Sequence, residues 1–309
     1  MAMSPTMKPG PLLRRVALNA YREARFNYWS YLFILPALVI LGAFLLYPAL
    51  YAFRMSFYDW QVLGESEFVG LENYRRFFEM PNVRLAVQNT LYYTAINVPG
   101  TLFVSLFVAL LLNAEIRARA WFRVLFYLPV ISSDVAVSLL WKWIYWAGER
   151  GLLNNLIGVF GFPPQDWLGD PKLAMPAIVL LTIWKGMGGN MLIFLAGLQS
   201  IPPELYEAAT IDGAGVWARF RHVTWPLLRP VTLIVLLLLT ISSLQVFTPV
   251  FVMTGGGPAN HTLTIAFYIY NLAFGSGLYG FASAVSYLLF AAILGITFIQ
   301  RRYFGDVIY

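Results

Sequence analysis

The chain has 309 residues, of which 59% are hydrophobic and only 12% charged, with a mean hydropathy of +0.67. Soluble domains carry about 25% charged residues, so the composition excludes a soluble globular protein and indicates an integral membrane one. The net charge of +6 is spread over loops rather than gathered in a basic stripe, which excludes a nucleic-acid surface, and the absence of cysteine excludes disulfides and thiol chemistry.

The N-terminal tail, 1–30, is polar and basic, with Lys8, Arg14, Arg15, Arg22 and Arg25. It lacks the short apolar core and small-residue cleavage site of a signal peptide. Phe26 to Phe53 then runs uncharged for 28 residues and reads as a retained first transmembrane helix. A bilayer core about 30 Å thick needs roughly 20 apolar helical residues. Six stretches qualify: Tyr31–Phe53, Ala86–Asn113, Phe122–Trp146, Leu173–Leu198, Val231–Met253 and Gly280–Ile299. The first interhelical segment, Arg54 to Leu85, predicts a short helix near Leu71–Phe78 (LENYRRFF). The second, Ala147 to Pro171, predicts a short amphipathic helix and a turn. His261–Phe274 is apolar but short and bracketed by glycines, which suits a partly embedded loop or an outer-face helix. The whole reads as one transmembrane domain over 31–302, with a short C-terminal tail, 303–309.

Lys and Arg favour the cytoplasmic side of a membrane protein. The N-terminal tail, the loop at Arg117–Arg123, the loop 201–230 and the C-terminal tail together hold thirteen; the alternate loops hold six. This predicts six transmembrane helices with both termini cytoplasmic.

No catalytic constellation stands out. None of the four lysines is followed by Ser or Thr, so no Walker A loop is present. His222 and His261 lack carboxylate or cysteine partners at ligand spacing, so no metal or other cofactor is expected. Polar residues within the spans carry more information. Thr90, Thr94, Asn97, Thr101 and Ser105 fall at helical spacing on one face. Such a stripe serves helix packing or forms one wall of a hydrated path. The fourth span reads TIWKGMGGNML at its centre. A lysine at the bilayer midplane costs about 2.5–3.5 kcal/mol on insertion scales, so Lys185 needs a reason. Its neighbouring glycines and Asn190 suggest loosened backbone lining a cavity, and Asp134 is the candidate partner for its charge. Lys142, among Trp141, Trp143, Tyr145 and Trp146, reads as an interfacial anchor. Trp184, Lys185, Asn190 and Gln245 are the candidate substrate-path residues. Lys185 leaves an anionic substrate open.

The longest polar interruption of the C-terminal half is Ile201–Pro230. Pro202 and Pro203 suit a first helical turn, Glu204 and Glu207 favour a helix N-terminus, and Gly213 and Gly215 allow a turn. A second helix, Val216 to Leu228, is expected to end before Pro230. Leu205, Ala208, Ala209 and Ile211 give the first helix an apolar side that either lipid headgroups or a protein partner would cover.

In that loop, Glu207-Ala208-Ala209, three residues, Gly213, nine residues, Val223, one residue and Trp225-Pro226 resemble the EAA loop of binding-protein-dependent ABC importers. Val223 and Trp225 replace the pattern's isoleucine and leucine. Asp212-Gly213-Ala214 continues the signature, and LENYRRFF, GLLNNLIG, VFVMTGGGP and YGFASA are similar to the sugar-importing branch of maltose and glycerol-3-phosphate type permeases. Thr248 departs from it, standing where related chains often carry an acidic residue. The resemblance implies an all-α type I ABC importer transmembrane domain in a bacterial or archaeal plasma membrane. It implies a second, similar permease chain forming a heterodimer, two copies of an ABC ATPase subunit, an extracytoplasmic sugar-binding protein and a carbohydrate substrate. Glu207, Ala208, Ala209, Asp212 and Gly213 would then contact the ATPase, and this chain would be no enzyme. The alternatives are an ion-coupled secondary transporter and a membrane anchor for a cytoplasmic partner.

Overall fold

A computed structural model describes residues 28–60, 66–114 and 117–305 of the chain, and the tail readings for 1–27 and 306–309 lie outside the described residues. Two units are distinguished, 1–54 and 55–309.

The first unit is a single membrane-length helix built from α1 (Tyr28–Leu41), a π turn (Gly42–Leu46) and α2 (Tyr47–Met55), whose last residue belongs to the second unit. The π turn has a local cause. Pro48 has no N–H, and its ring crowds the carbonyl four residues back. The residue before it, Tyr47, donates instead to Gly42, five residues back, widening the turn.

The second unit begins with a two-residue hairpin, β1 (Tyr58–Asp59) against β2 (Glu67–Phe68), antiparallel with Tyr58 opposite Phe68. It leads into α3 (Glu72–Glu79), where buried Asn73 donates its amide to the carbonyls of Ser56 and Tyr58 at 3.0 and 2.9 Å. The long α4 (Pro81–Asn113) follows, then α5 (Arg119–Ile131), α6 (Asp134–Ile144), the short α7 (Leu152–Gly158) and α8 (Ala174–Gln199). The loop region holds α9 (Pro203–Ile211), α10 (Val216–Arg219) and a π turn (Phe220–Thr224). It passes into α11 (Trp225–Leu244), α12 (Thr248–Met253), α13 (Ile265–Tyr270) with a π turn (Asn271–Gly275), and α14 (Tyr279–Gly305).

Among the described residues five helical runs are long and apolar enough to cross a membrane, and α5 with α6 makes a sixth. The expected six-span, all-α architecture stands, with three corrections. The third span is not continuous: α5 and α6 meet at 99° across Ser132-Ser133. Pro129 weakens the end of α5, and Asp134 opens α6 where its charge suits the helix dipole. Second, the helix after the loop does not stop before Pro230; the helical run from Val216 reaches Leu244, and after a break at 245–247 α12 carries the same candidate span to Met253. Here too a π turn precedes a proline: the Trp225 N–H reaches back to the Phe220 carbonyl just before Pro226. Third, α8 is unbroken at its glycines. A Cβ at Gly188 would fall on the backbone carbonyl of Phe126, so this glycine brings α8 against α5 rather than loosening it.

Within the stretch His261–Phe274, a turn leads into the short α13 and its π turn, whose Ile265, Phe267, Tyr268 and Leu272 are buried in the core. The predicted short helices near Leu71–Phe78 and within 147–171 are α3 and α7. Two apolar clusters hold the unit together. One gathers the N-terminal halves of α4 and α8 with α12, α13 and the start of α14. The other gathers the C-terminal halves of α4 and α8 with α11. Along α8 the first cluster ends at Trp184 and the second resumes at Met191. Between them stand Lys185, Asn190 and the glycines.

Candidate functional site: a polar cavity and an exposed loop

At that gap lies a cavity of about 360 Å³, within the range of small-molecule sites. Four helical walls build it. Tyr93, Asn97 and Thr101 come from α4; Thr182, Lys185, Gly186 and Asn190 from α8; Asp134 and Ser138 from α6; Ser242 and Ser243 from α11. Gln245, Val246 and Phe247 line it from the break after α11, and Thr248 and Pro249 from the start of α12. Both helices that follow a break, α6 and α12, therefore begin at the cavity wall. They also pack on each other, and Lys142 donates to the Val252 carbonyl at 3.3 Å. Lys142 thus joins two half-helices in addition to any anchoring at the interface.

The Asn97 amide links three helices. Its nitrogen donates to Ser243 at 2.9 Å, and its oxygen accepts from Thr182 at 3.0 Å and from Thr101 at 3.3 Å. A buried amide in lipid needs such partners, because water is not there to replace them. The rest of the α4 stripe divides by role. Thr90 donates to the Ala86 carbonyl at 2.7 Å and accepts the Ile265 N–H at 2.9 Å. Ser105 bonds back to the Thr101 carbonyl at 2.6 Å. Asn97 and Thr101 are cavity wall, Thr90 and Ser105 serve packing, and Thr94 lies off the cavity.

Lys185 forms an ion pair with Asp134 across the cavity, with the lysine side chain 18% exposed and the aspartate 59%. The charge that the fourth span appeared too apolar to carry is therefore compensated from the third. Asn190 lines the cavity and donates to the Gly186 carbonyl at 2.8 Å. Gln245, at the helix break, also lines it. Trp184 does not: its ring packs on Trp141 with centroids 5.4 Å apart. Three of the four path candidates thus come together. Asn97 and Thr101, from the stripe that offered one wall of a hydrated path, join them, as do Thr182, Ser242 and Ser243.

The loop 201–230 is a helix, a turn and the start of the next span. Glu204 sits in the first turn of α9, and Glu207, Ala208 and Ala209 follow within it. The helix ends in a Schellman closure: Gly213 donates to the Thr210 carbonyl at 3.0 Å and Ala214 to the Ala209 carbonyl at 2.8 Å. That closure requires φ of +75° at Gly213, a conformation that favours glycine. The Tyr206 hydroxyl meets that of Thr224 at 3.0 Å, tying α9 to the π turn at the head of α11. Five large apolar side chains of this loop stay exposed: Leu205, Leu227, Ile211, Val216 and Trp217, the last three at 70% or more.

Residues 86–304 match the family described as the binding-protein-dependent transport system inner membrane component. The chain belongs to this family. The permease is 37% identical to the trehalose/maltose transport system permease protein of Thermococcus litoralis, covering 91% of this chain and 94% of that one. It is 37% identical to the lactose transport system permease protein of Rhizobium radiobacter (93% and 96% covered) and 35% to the arabinooligosaccharides transport system permease protein of Bacillus subtilis (89% and 88%). Its fold is that of a chain of a bacterial ABC transporter that imports the acidic polysaccharide alginate, with a TM-score of 0.82 over 94% of this chain at 23% identity. The resemblance carried by the EAA spacing is thereby confirmed, and the permease is a multi-pass membrane component of an ABC transport system.

Proposed function

We propose that this permease forms half of the translocation path of an ATP-driven carbohydrate importer in a bacterial or archaeal plasma membrane. It would pair with a second permease chain, two copies of an ABC ATPase subunit and an extracytoplasmic sugar-binding protein. The cavity is the observation that carries the reading: hydroxyl, amide and one balanced ion pair face a space of about 360 Å³. Such a wall matches the many donors and acceptors of a sugar, and the curated relatives named for sugars support the choice.

The second half of the proposal concerns the loop. Glu207, Ala208, Ala209, Asp212 and Gly213 form the face that docks the ATPase, and the exposed Leu205, Ile211, Val216 and Trp217 supply apolar area for that contact. The ATPase hydrolyses ATP; this chain converts its closure into an altered cavity by favouring one of two arrangements. Tyr206 and Thr224 tie α9 to the continuous run that ends at the cavity.

The test is uptake and ATP hydrolysis in proteoliposomes holding the assembled complex. Glu207→Ala and Gly213→Pro should each leave an assembled complex that hydrolyses ATP with little solute uptake. Normal uptake in both variants overturns the coupling role. Uptake that survives ATP depletion and follows an ion gradient would instead show a secondary transporter.

A further inference from the structure

Of the side chains lining the cavity, Lys185 and Asp134 alone carry charge among the described residues, and they are paired with each other. Asp134 is also the first residue of α6, at the end of the helix where the dipole is positive. Two positive features, the ammonium and the helix N-terminus, thus converge on one carboxylate. Remove that carboxylate and both are left facing the cavity, the arrangement that binds anions elsewhere in proteins. The Lys185 side chain is largely shielded from solvent at 18% exposure, so solvent would screen little of the freed charge.

We propose that Asp134 is a specificity-determining residue: its pairing with Lys185 makes the cavity select neutral, hydroxyl-rich solutes and reject anionic ones. The proposal rests on the carbohydrate reading of the cavity. An unpaired Lys185 would favour carboxylated or phosphorylated sugars, and the balanced pair instead offers hydrogen bonds without net attraction. A neutral solute can meet both members of the pair. An anion gains from the lysine only by displacing the aspartate, and then meets its repulsion.

The experiment uses the assembled permease–ATPase complex in nanodiscs, without binding protein, so that the cavity alone discriminates. Saturation-transfer NMR compares two matched pairs of probes: maltose with maltobionate and lactose with lactobionate. The unaltered complex should favour the neutral member of each pair. Asp134→Asn should shift the anionic-to-neutral ratio by about tenfold or more toward the acid. Adding Lys185→Gln to Asp134→Asn should return it to the neutral preference. Asp134→Glu, which keeps the charge, should leave the preference in place. Where Asp134→Asn does not assemble, Lys185→Gln alone tests the same pairing and should lower the ratio instead.

An unchanged ratio in both Asp134→Asn and Lys185→Gln, with neutral sugars still binding, overturns the proposal and spares the carbohydrate reading. No transfer to any of the four sugars from the unaltered complex overturns both. An alternative in which the pair only holds α6 against α8 predicts equal losses for neutral and anionic probes, which also overturns it.

Discussion

Replacing Asn97 by alanine tests whether the cavity is held open by its own hydrogen bonds. Asn97 is 6% exposed and joins α4 to α8 and α11 through Thr182 and Ser243. Its third bond, from Thr101, stays within α4 and is long at 3.3 Å, so it contributes little. Thr182 keeps other acceptors in the carbonyls of Ile178 and Val179 at 3.1 and 2.9 Å, so it is not orphaned. Interhelical polar bonds in membranes average about 0.6 kcal/mol and reach about 1.7. Two such bonds, with the gap left by the amide, give an expected loss of roughly 1.5 kcal/mol for Asn97→Ala. Equilibrium unfolding of the purified, lipid-reconstituted complex in denaturing detergent measures it. A cycle of Asn97→Ala, Ser243→Ala and the double variant isolates the 2.9 Å bond, and a coupling of about 0.6 kcal/mol is expected. Coupling below about 0.3 kcal/mol, the scatter of additive sites, would refute the assignment of Asn97 as the link between these helices.

Gly188→Val should prevent the chain from accumulating as a monodisperse complex in size-exclusion chromatography. The new Cβ meets the Phe126 backbone rather than a flexible side chain, and overpacking of this kind costs about 1–3 kcal/mol or more. Gly189→Ala is the control and should be tolerated, because its Cβ would meet Val130 at an ordinary 3.7 Å. Tyr206→Phe deletes the 3.0 Å contact with Thr224 and should cost about 1 kcal/mol of stability. On the proposed coupling it should also lower solute moved per ATP hydrolysed in proteoliposomes; an unchanged ratio would remove this contact from the coupling path.

The spans were legible because hydropathy over about twenty residues is a strong signal. The break in the third span was not, since that average runs smoothly across Ser132-Ser133. The letters Pro129 and Ser-Ser-Asp at 132–134 carried the local signal of one helix ending and another beginning. The glycines of α8 misled for a different reason. Glycine permits both a loosened backbone and a close approach, and only the Phe126 carbonyl, 62 residues distant in sequence, decides between them. Trp184 lies outside the cavity wall although it adjoins Lys185. Successive residues on a helix point about 100° apart, so Trp184 and Lys185 face different neighbours, and the tryptophan packs on Trp141. Asn97 lay on a recognised stripe, but a stripe does not reveal whether its partners are packing groups or a cavity. Its partners Thr182 and Ser243 lie 85 and 146 residues away.

The corrections share one physical cause. A polar cavity within a bilayer needs exposed donors and acceptors, and an unbroken helix offers mainly side chains because its backbone is already paired. The walls therefore divide. Continuous α4 and α8 pack closely along each other and supply side chains such as Asn97 and Lys185. The interrupted spans supply helix ends: Asp134 at the head of α6, Gln245 at the end of α11 and Thr248 at the head of α12. Within the second set, the span of α11 and α12 is also the one connected to the loop, because the helical run from Val216 reaches the cavity at Ser243 after roughly 40 Å, at 1.5 Å per residue. Over that length a tilt of about 5° at the loop end displaces the cavity end by about 3.5 Å, close to one hydrogen-bond length. If the loop is driven as proposed, the wall formed by Ser242, Ser243 and Gln245 is the part that moves. The α4–α8 pair is then the surface against which it closes, and the 2.9 Å bond from Asn97 to Ser243 is the contact whose making and breaking separates the two arrangements.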